Sequence, residues 1–406
     1  MMSSIRFARR HLLRFLIGAG ALVPATAAAQ VAQEKVFFDT LLARCNAITS
    51  VTDPLFAVCN QVLSGGLSTG VYTPGVTVAN LGSTGSYGGA GKMAASERQR
   101  ELDDLLGDEE GKKKRKRTGG ASGDFTAGPF GGFITAQTSR TTRALTEFEN
   151  GYKAKLDGLL IGLDRRFGNA LVTGASLGRT DTDSTYMDDA GTMSARNTTL
   201  MLYTTYLPTP GTYLGGYLGG GQGTQDATRR IDVPPISGVA ASTTKSRQTM
   251  AGLSGGYNWY SGAVSVSVTG AADYVRNRAD ETTETGITGL EFIYPEQKTT
   301  SLTGTLGTRA SYRSSFTWGA IVPSVRAAYI HEFRDNVRTV SPGLVADPST
   351  VFAFRTESPD RNYYVGGAGA TVEAGRGTQF FVDYEKRAGH SFINTWSASI
   401  GLIAEF

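Results

Sequence analysis

The sequence contains no run of about 18 uninterrupted apolar residues, which excludes a bundle of transmembrane helices. It leaves open a membrane β-barrel, whose signal is alternation rather than bulk hydrophobicity. Neither G-x-G-x-x-G nor a Walker sequence occurs, so nucleotide chemistry has no support. Histidine is nearly missing: His331 and His390 are the two beyond the N-terminal segment, too few for a His-rich metal site. An excess of one charge is missing too. Of 40 Lys and Arg against 36 Asp and Glu, Arg6, Arg9, Arg10 and Arg14 sit in a segment expected to be removed, leaving 36 against 36 and no reason to expect a nucleic-acid partner. What is plentiful is glycine. Its 52 residues among 406, beside 13 Pro, exclude collagen and most helical bundles.

The four arginines precede an apolar stretch, Phe15 to Val23, and then Ala27-Ala28-Ala29. That layout predicts a signal peptide over residues 1–29, cleaved before Gln30 and routing the chain out of the cytoplasm. The stretch is too short for a spanning anchor, which makes an N-terminal anchor the weaker reading. Arg9-Arg10-His11-Leu12-Leu13 resembles a twin-arginine signal only faintly, and the general secretory route is preferred. In an oxidising compartment Cys45 and Cys59 are expected to form a disulfide between two short helices, Phe37 to Ile48 and Asp53 to Leu63. Closing that loop is worth about 3 kcal/mol on the chain-entropy model, a useful staple for a hairpin with little core of its own. No histidine stands near in sequence, so neither a zinc set nor a thiol catalyst is expected.

Residues 30–66 thus form a small helical segment, followed by a linker over 67–124. Within the linker, Lys92 to Leu106 is rich in helix formers but polar nearly all round, so the helix it predicts is either solvated or enclosed by polar walls. Lys112-Lys113-Lys114-Arg115-Lys116-Arg117 then repel one another and read as a solvated tether, the alternative being contact with anionic head groups or an acidic barrel mouth.

From Phe125 the pattern has period 2. Val264, Val266, Val268, Gly270, Ala272 and Tyr274 alternate with Ser265, Ser267, Thr269 and Asp273, one oily face and one wet. Leu302, Leu306 and Tyr312, then Ile321, Val325 and Tyr329, then Phe380, Val382 and Tyr384 repeat it, and aromatics fall near the run ends. The runs last about 10 to 17 residues, against the 5 to 6 usual in globular sheets, and hydrocarbon takes about 9 to 11 to cross. Twelve such runs are expected between Phe130 and Phe406, giving residues 125–406 as an all-β, 12-stranded antiparallel transmembrane barrel. Short turns alternate with long connections at Asp183 to Gly191, Arg229 to Thr243, Glu281 to Glu296 and Asn336 to Asp360, the outer-membrane rhythm of periplasmic turns and exterior loops.

The segment Gly151-Tyr152 through Gly162-Leu163-Asp164-Arg165-Arg166-Phe167, and the ending in which Phe392, Trp396, Ile400, Leu402 and Phe406 alternate with Thr395, Ser397, Ser399 and Glu405, resemble the autotransporter (type V secretion) β-domain. The resemblance covers about Phe130 to Phe406 and implies a bacterial outer-membrane barrel, a monomer, that anchors and exports its N-terminal segment. It also implies a pore-threading helix, for which Lys92 to Leu106 is suited, and partners in outer-membrane lipid, periplasmic chaperones and the barrel-assembly machinery. Trp396, Ile400, Leu402 and Phe406 are then the assembly signal, because an unpaired edge strand with an apolar face is open to capture by strand pairing. The chain departs from the family in its short passenger and in lacking an Asn-Asn self-cleavage pair. A standalone channel or porin is the alternative.

Two G-x-S-x-G matches, Gly174 to Gly178 and Gly252 to Gly256, lie inside alternating runs without the strand-turn-helix context of a nucleophile elbow. His331 and Glu332 with Asp335 and Asp360 offer an omptin-like dyad, but a rim histidine is the preferred reading. No catalytic residue, cofactor or metal is expected. Arg309, Arg326, Glu332, Glu373, Asp383 and Glu385 face the lumen by strand parity, either as a salt-bridged filling or as groups that set ion selectivity or bind the threading helix.

Overall fold

The computed structural model describes residues 26–65, 129–168, 170–233, 236–334, 337–358, 360–374 and 377–406. Most of the expected signal peptide, the expected helix over Lys92 to Leu106, the basic run and Asp335 lie outside the described residues.

Twelve long strands form the barrel: β1 (Phe130–Arg143), β2 (Tyr152–Phe167), β3 (Leu171–Tyr186), β4 (Gly191–Thr209), β5 (Thr212–Val233), β6 (Ile236–Ser261), β7 (Val264–Ala279), β8 (Gln297–Tyr312), β9 (Gly319–Glu332), β10 (Asn362–Ala374), β11 (Thr378–Ala388) and β12 (Ile393–Glu405). Each pairs antiparallel with its neighbours in chain order. β1 pairs with β12 from Gly131↔Glu405 to Arg143↔Ile393, which closes the sheet and removes its edges. Both termini of the barrel lie at one end, the turn end; the long connections lie at the other, the loop end. No helix among the described residues is long and apolar enough to cross a membrane.

The oily face of each strand points outward. Leu253 is 72% exposed, Leu306 61% and Val325 60%, whereas Asp273, Ser324 and Asp383, of the opposite strand parity, are buried inside. Such a continuous apolar belt is stable only against hydrocarbon.

Two of the expected long loops are corrected. Asp183 to Gly191 is mostly strand, because β3 runs to Tyr186 and a single turn of 3-10 helix, Met187–Asp189, leads to β4. Arg229 to Thr243 is largely the tip of a projecting hairpin, in which β5 and β6 stay paired from Thr212↔Tyr257 to Val233↔Ile236. Above the membrane neither face of a strand need be oily, so the alternation that marks strands fades there. The connections from β7 to β8 and from β9 to β10 are long and carry short strand pairs of their own.

Five of the glycines find their use inside. Phe133 lies directly across from Gly162, Tyr203 from Gly174, Tyr217 from Gly252, Tyr213 from Gly256 and Phe381 from Gly401. A Cβ at any of these glycines would collide with the facing ring, so each ring occupies the space that a side chain would take. Phe133, Leu160, Met201, Tyr203, Tyr217, Met250, Phe381 and Ile403 form the apolar layer within the turn half of the barrel. Tyr203 and Tyr217 keep their hydroxyls satisfied by donating to Asp164 (2.9 Å) and Asp273 (2.8 Å).

Candidate functional site

The N-terminal segment folds as α1 (Thr26–Ala47) and α2 (Phe56–Gly65), with Cys45 and Cys59 disulfide-bonded at a Cα–Cα distance of 5.0 Å. Phe37, Leu41 and Cys45 recur every four residues and so share one helical face. Leu55, just before the second helix, and Val58, Cys59 and Val62 within it answer from the other side. The hairpin does not bury these against itself alone. Its core continues into the loop end of the barrel, through Ile231 of β5, Ile287, Leu290 and Phe292 after β7, and Val340, Leu344, Phe352 and Phe354 after β9. The Phe37 ring stacks on Phe352 at 5.3 Å, and Phe352 lies 5.0 Å from Phe292. Gly289, with φ +88°, brings the loop backbone so near α2 that a Cβ there would overlap Val58.

Two polar clusters fix the dock. Beneath it Arg229 forms a buried ion pair with Glu284, donates to Leu290 O at 2.9 Å and lies over the Phe292 ring at 4.3 Å. Breaking such a pair from one side costs about 3–5 kcal/mol, because the other charge is left buried and unpaired. At the rim Arg44 of α1 bonds Asp53 at 2.7 Å, within the hairpin, and Asp347 at 2.6 Å, in the loop after β9. The Ser349 hydroxyl and then Arg44 hold the Asp347 carboxyl well below the usual carboxylate range. The Leu55 amide and then Arg44 hold Asp53 low too. Carboxylates depressed in the folded state stabilise it above their unfolded pKa and lose that contribution as pH falls through the folded value. Docking should therefore weaken on acidification below the usual carboxylate range. Pepsin cleavage of the hairpin, normalised to a free peptide of the same sequence, is expected to accelerate from pH 5 towards pH 2 in the wild type and much less in Asp347→Asn. Equal profiles would show that the rim cluster does not hold the hairpin.

The register places all six of the charged lumen candidates on the inward face. Arg326, Asp383 and Glu385 meet in one network, with Arg326 bonding both carboxylates. The others are held elsewhere. Arg309 donates to Ser324 (3.0 Å), Glu373 pairs with Arg313, and Glu332 accepts from Ser301 and from the amides of Leu302 and Arg334. Trp396, Ile400, Leu402 and Phe406 lie on the outward face of the last strand, with Ile400 60% and Phe406 65% exposed.

Among the described residues the chemistry set aside in the sequence is not assembled. His331 bonds Asn362 at 2.8 Å, whereas Asp360 lies 3.2 Å from the His390 ring and accepts from the Ser391 amide. Both G-x-S-x-G stretches are interior to strands β3 and β6. Among the described residues no group of His, Cys, Asp or Glu is placed to hold a metal ion. What sequence reading missed is the dock. Its signal was the apolar content of the connections after β7 and β9, where Ile287, Leu290, Phe292, Leu344, Phe352 and Phe354 are too many for solvated loops.

A family model described as Autotransporter beta-domain matches residues 122–385. None of the curated proteins matches the sequence. Among solved structures, the translocator domain of autotransporter NalP from Neisseria meningitidis is similar at 17% identity and a TM-score of 0.57, over 79% of this chain and 99% of that one. The β domain of the Bordetella autotransporter BrkA is similar at 21% identity and a TM-score of 0.52, over 68% of this chain and 100% of the other.

Proposed function

The chain belongs to the autotransporter β-domain family, and on that premise we propose that its barrel has passed its own N-terminal hairpin outward through the lumen and keeps it anchored on the outer face. Barrels of this family are translocators of the bacterial outer membrane, with long loops outside and short turns in the periplasm. One observation carries the proposal: the hairpin is docked at the loop end, whereas β1, the next described element, starts at the turn end with Phe130. Residues 66–129 therefore have to join opposite ends of the barrel. At up to about 3.3 Å per residue they reach easily across a hydrocarbon band of about 25 Å. A route through lipid would strand backbone polar groups and six basic side chains in hydrocarbon. The lumen offers polar walls, and a helix over Lys92 to Leu106 with no oily face suits that route. On this reading the protein is non-enzymatic and acts as a monomer with outer-membrane lipid, the barrel-assembly machinery and periplasmic chaperones as its partners.

An epitope inserted between Ser50 and Thr52, at the exposed bend beside Val51, tests the topology. Antibody is expected to label intact cells. Labelling only after the outer membrane is permeabilised would place the hairpin in the periplasm and defeat the proposal. The intact protein is also expected to conduct far less in planar bilayers than one lacking residues 30–120. Equal conductance would favour the standalone channel.

A further inference from the structure

Directly above the apolar belt, three neighbouring strands carry cations on the lipid-facing side. On β7 the outward series from Val264 to Tyr274 gives way to Arg276 and Arg278, both exposed. Ten residue steps of about 3.4 Å, tilted by about 40°, lift the strand about 26 Å, close to the height of the hydrocarbon band. Arg276 thus emerges where head groups begin. The register supplies its neighbours. Arg278 stands opposite Arg247 of β6 on one side and Lys298 of β8 on the other, and Arg276 stands between Thr249 and Thr300.

Three cations therefore share one row, a fourth lies one pleat below, and the patch is about 10 Å wide from two strand spacings. Like charges set directly opposite one another destabilise a sheet, so this row needs anions to settle it. The protein supplies few. Glu296 pairs with Arg278 and, at 2.7 Å, with Lys298. Asp280 belongs to the next step up, where its amide bonds Lys245 O. Arg247 and Arg276 have no acidic partner among the described residues. Arginine forks match phosphate oxygens bidentately, and the flanking threonine hydroxyls are further donors at the same depth.

We propose that Arg247, Arg276, Arg278 and Lys298 form a binding site for the phosphates of the glycolipid that fills the outer leaflet. The ligand is a phosphorylated glycolipid head group whose acyl chains lie along the belt beneath it, over Tyr274, Leu302 and Leu253. The site depends only on a barrel with its loops outward. It stands whether or not the hairpin is exported.

Native mass spectrometry of the purified full-length protein in detergent tests it, with bis-phosphorylated lipid A, dephosphorylated lipid A and inorganic phosphate as probes. The wild type is expected to retain one bis-phosphorylated lipid A, to bind the dephosphorylated form about tenfold or more weakly, and to keep its lipid in millimolar inorganic phosphate, the scale expected for charge-assisted bonds to a phosphate. Arg247→Gln/Arg276→Gln/Arg278→Gln should lose the lipid to a similar degree while still showing heat-modifiable gel migration. Arg276→Gln alone, the milder change, should lose part of it. Equal retention by wild type and triple variant, indifference to the phosphates, or displacement by inorganic phosphate, which would mark a site for a free anion, would each overturn the proposal.

Discussion

Gly162→Val is expected to destabilise the refolded barrel by about 3 kcal/mol, the upper range for forcing extra carbon into a packed interior. Gly162 faces the Phe133 ring across the β1–β2 pairing, and even a Cβ would overlap the ring. Phe133 has little freedom to yield, being buried in the layer with Tyr203, Phe381 and Ile403, its ring 6.2 Å from that of Tyr203. The strain falls beside the seam, since β1 also forms the closing pair with β12. Phe133→Ala alone leaves a cavity and should cost about 3–5 kcal/mol. In the double variant the valine methyls enter the space the ring vacates. Its stability is expected to match that of Phe133→Ala rather than the sum of both losses, a coupling of about 3 kcal/mol. Urea unfolding of refolded protein measures all three. Strictly additive losses, or an undisturbed Gly162→Val barrel, would show that the ring and the glycine do not share one space.

That pairing also marks how far the sequence can be read. The barrel was legible because its signal is local: Val264 to Tyr274 need only their own alternation to declare a lipid-facing strand, and β11 begins and ends at the expected Thr378 and Ala388. The upper halves of β5 and β6 were less legible. Residues such as Ala240, Ala241, Ser242 and Thr243 have water in place of lipid on their outer side, so their pairing is set by the partner strand and by no pattern of their own. The candidate sites depend on register. Nothing in the chain order says that Arg278 falls between Arg247 and Lys298, or that Phe352, far along the sequence, completes a core begun by Phe37. The disulfide was readable from two cysteines in an exported chain; the surface on which its hairpin rests was not.

Phe406→Ala is expected to lower the outer-membrane level of the protein sharply while leaving the refolded barrel nearly as heat-resistant as the wild type. The ring is 65% exposed on the outward face and its one described aromatic contact is a stack on Phe130 at 6.5 Å, so truncation removes about 1 kcal/mol of apolar contact. The backbone at this position matters more, and alanine keeps it. The Phe406 amide donates to Phe130 O at 2.9 Å and the Phe130 amide returns a bond at 3.2 Å, fastening the last residue to the first strand. Before closure that partner is missing, and the last strand presents an open edge with Trp396, Ile400, Leu402 and Phe406 along its apolar side. On the proposed reading, an insertion machinery that captures the edge by strand pairing would grip these side chains. Loss of the terminal ring is then expected to slow assembly without weakening the product. Measuring outer-membrane level and melting temperature in the same variant separates the two roles: normal insertion in cells, or a refolded barrel that melts far earlier, would make Phe406 a packing residue and leave the assembly signal to the strand above it.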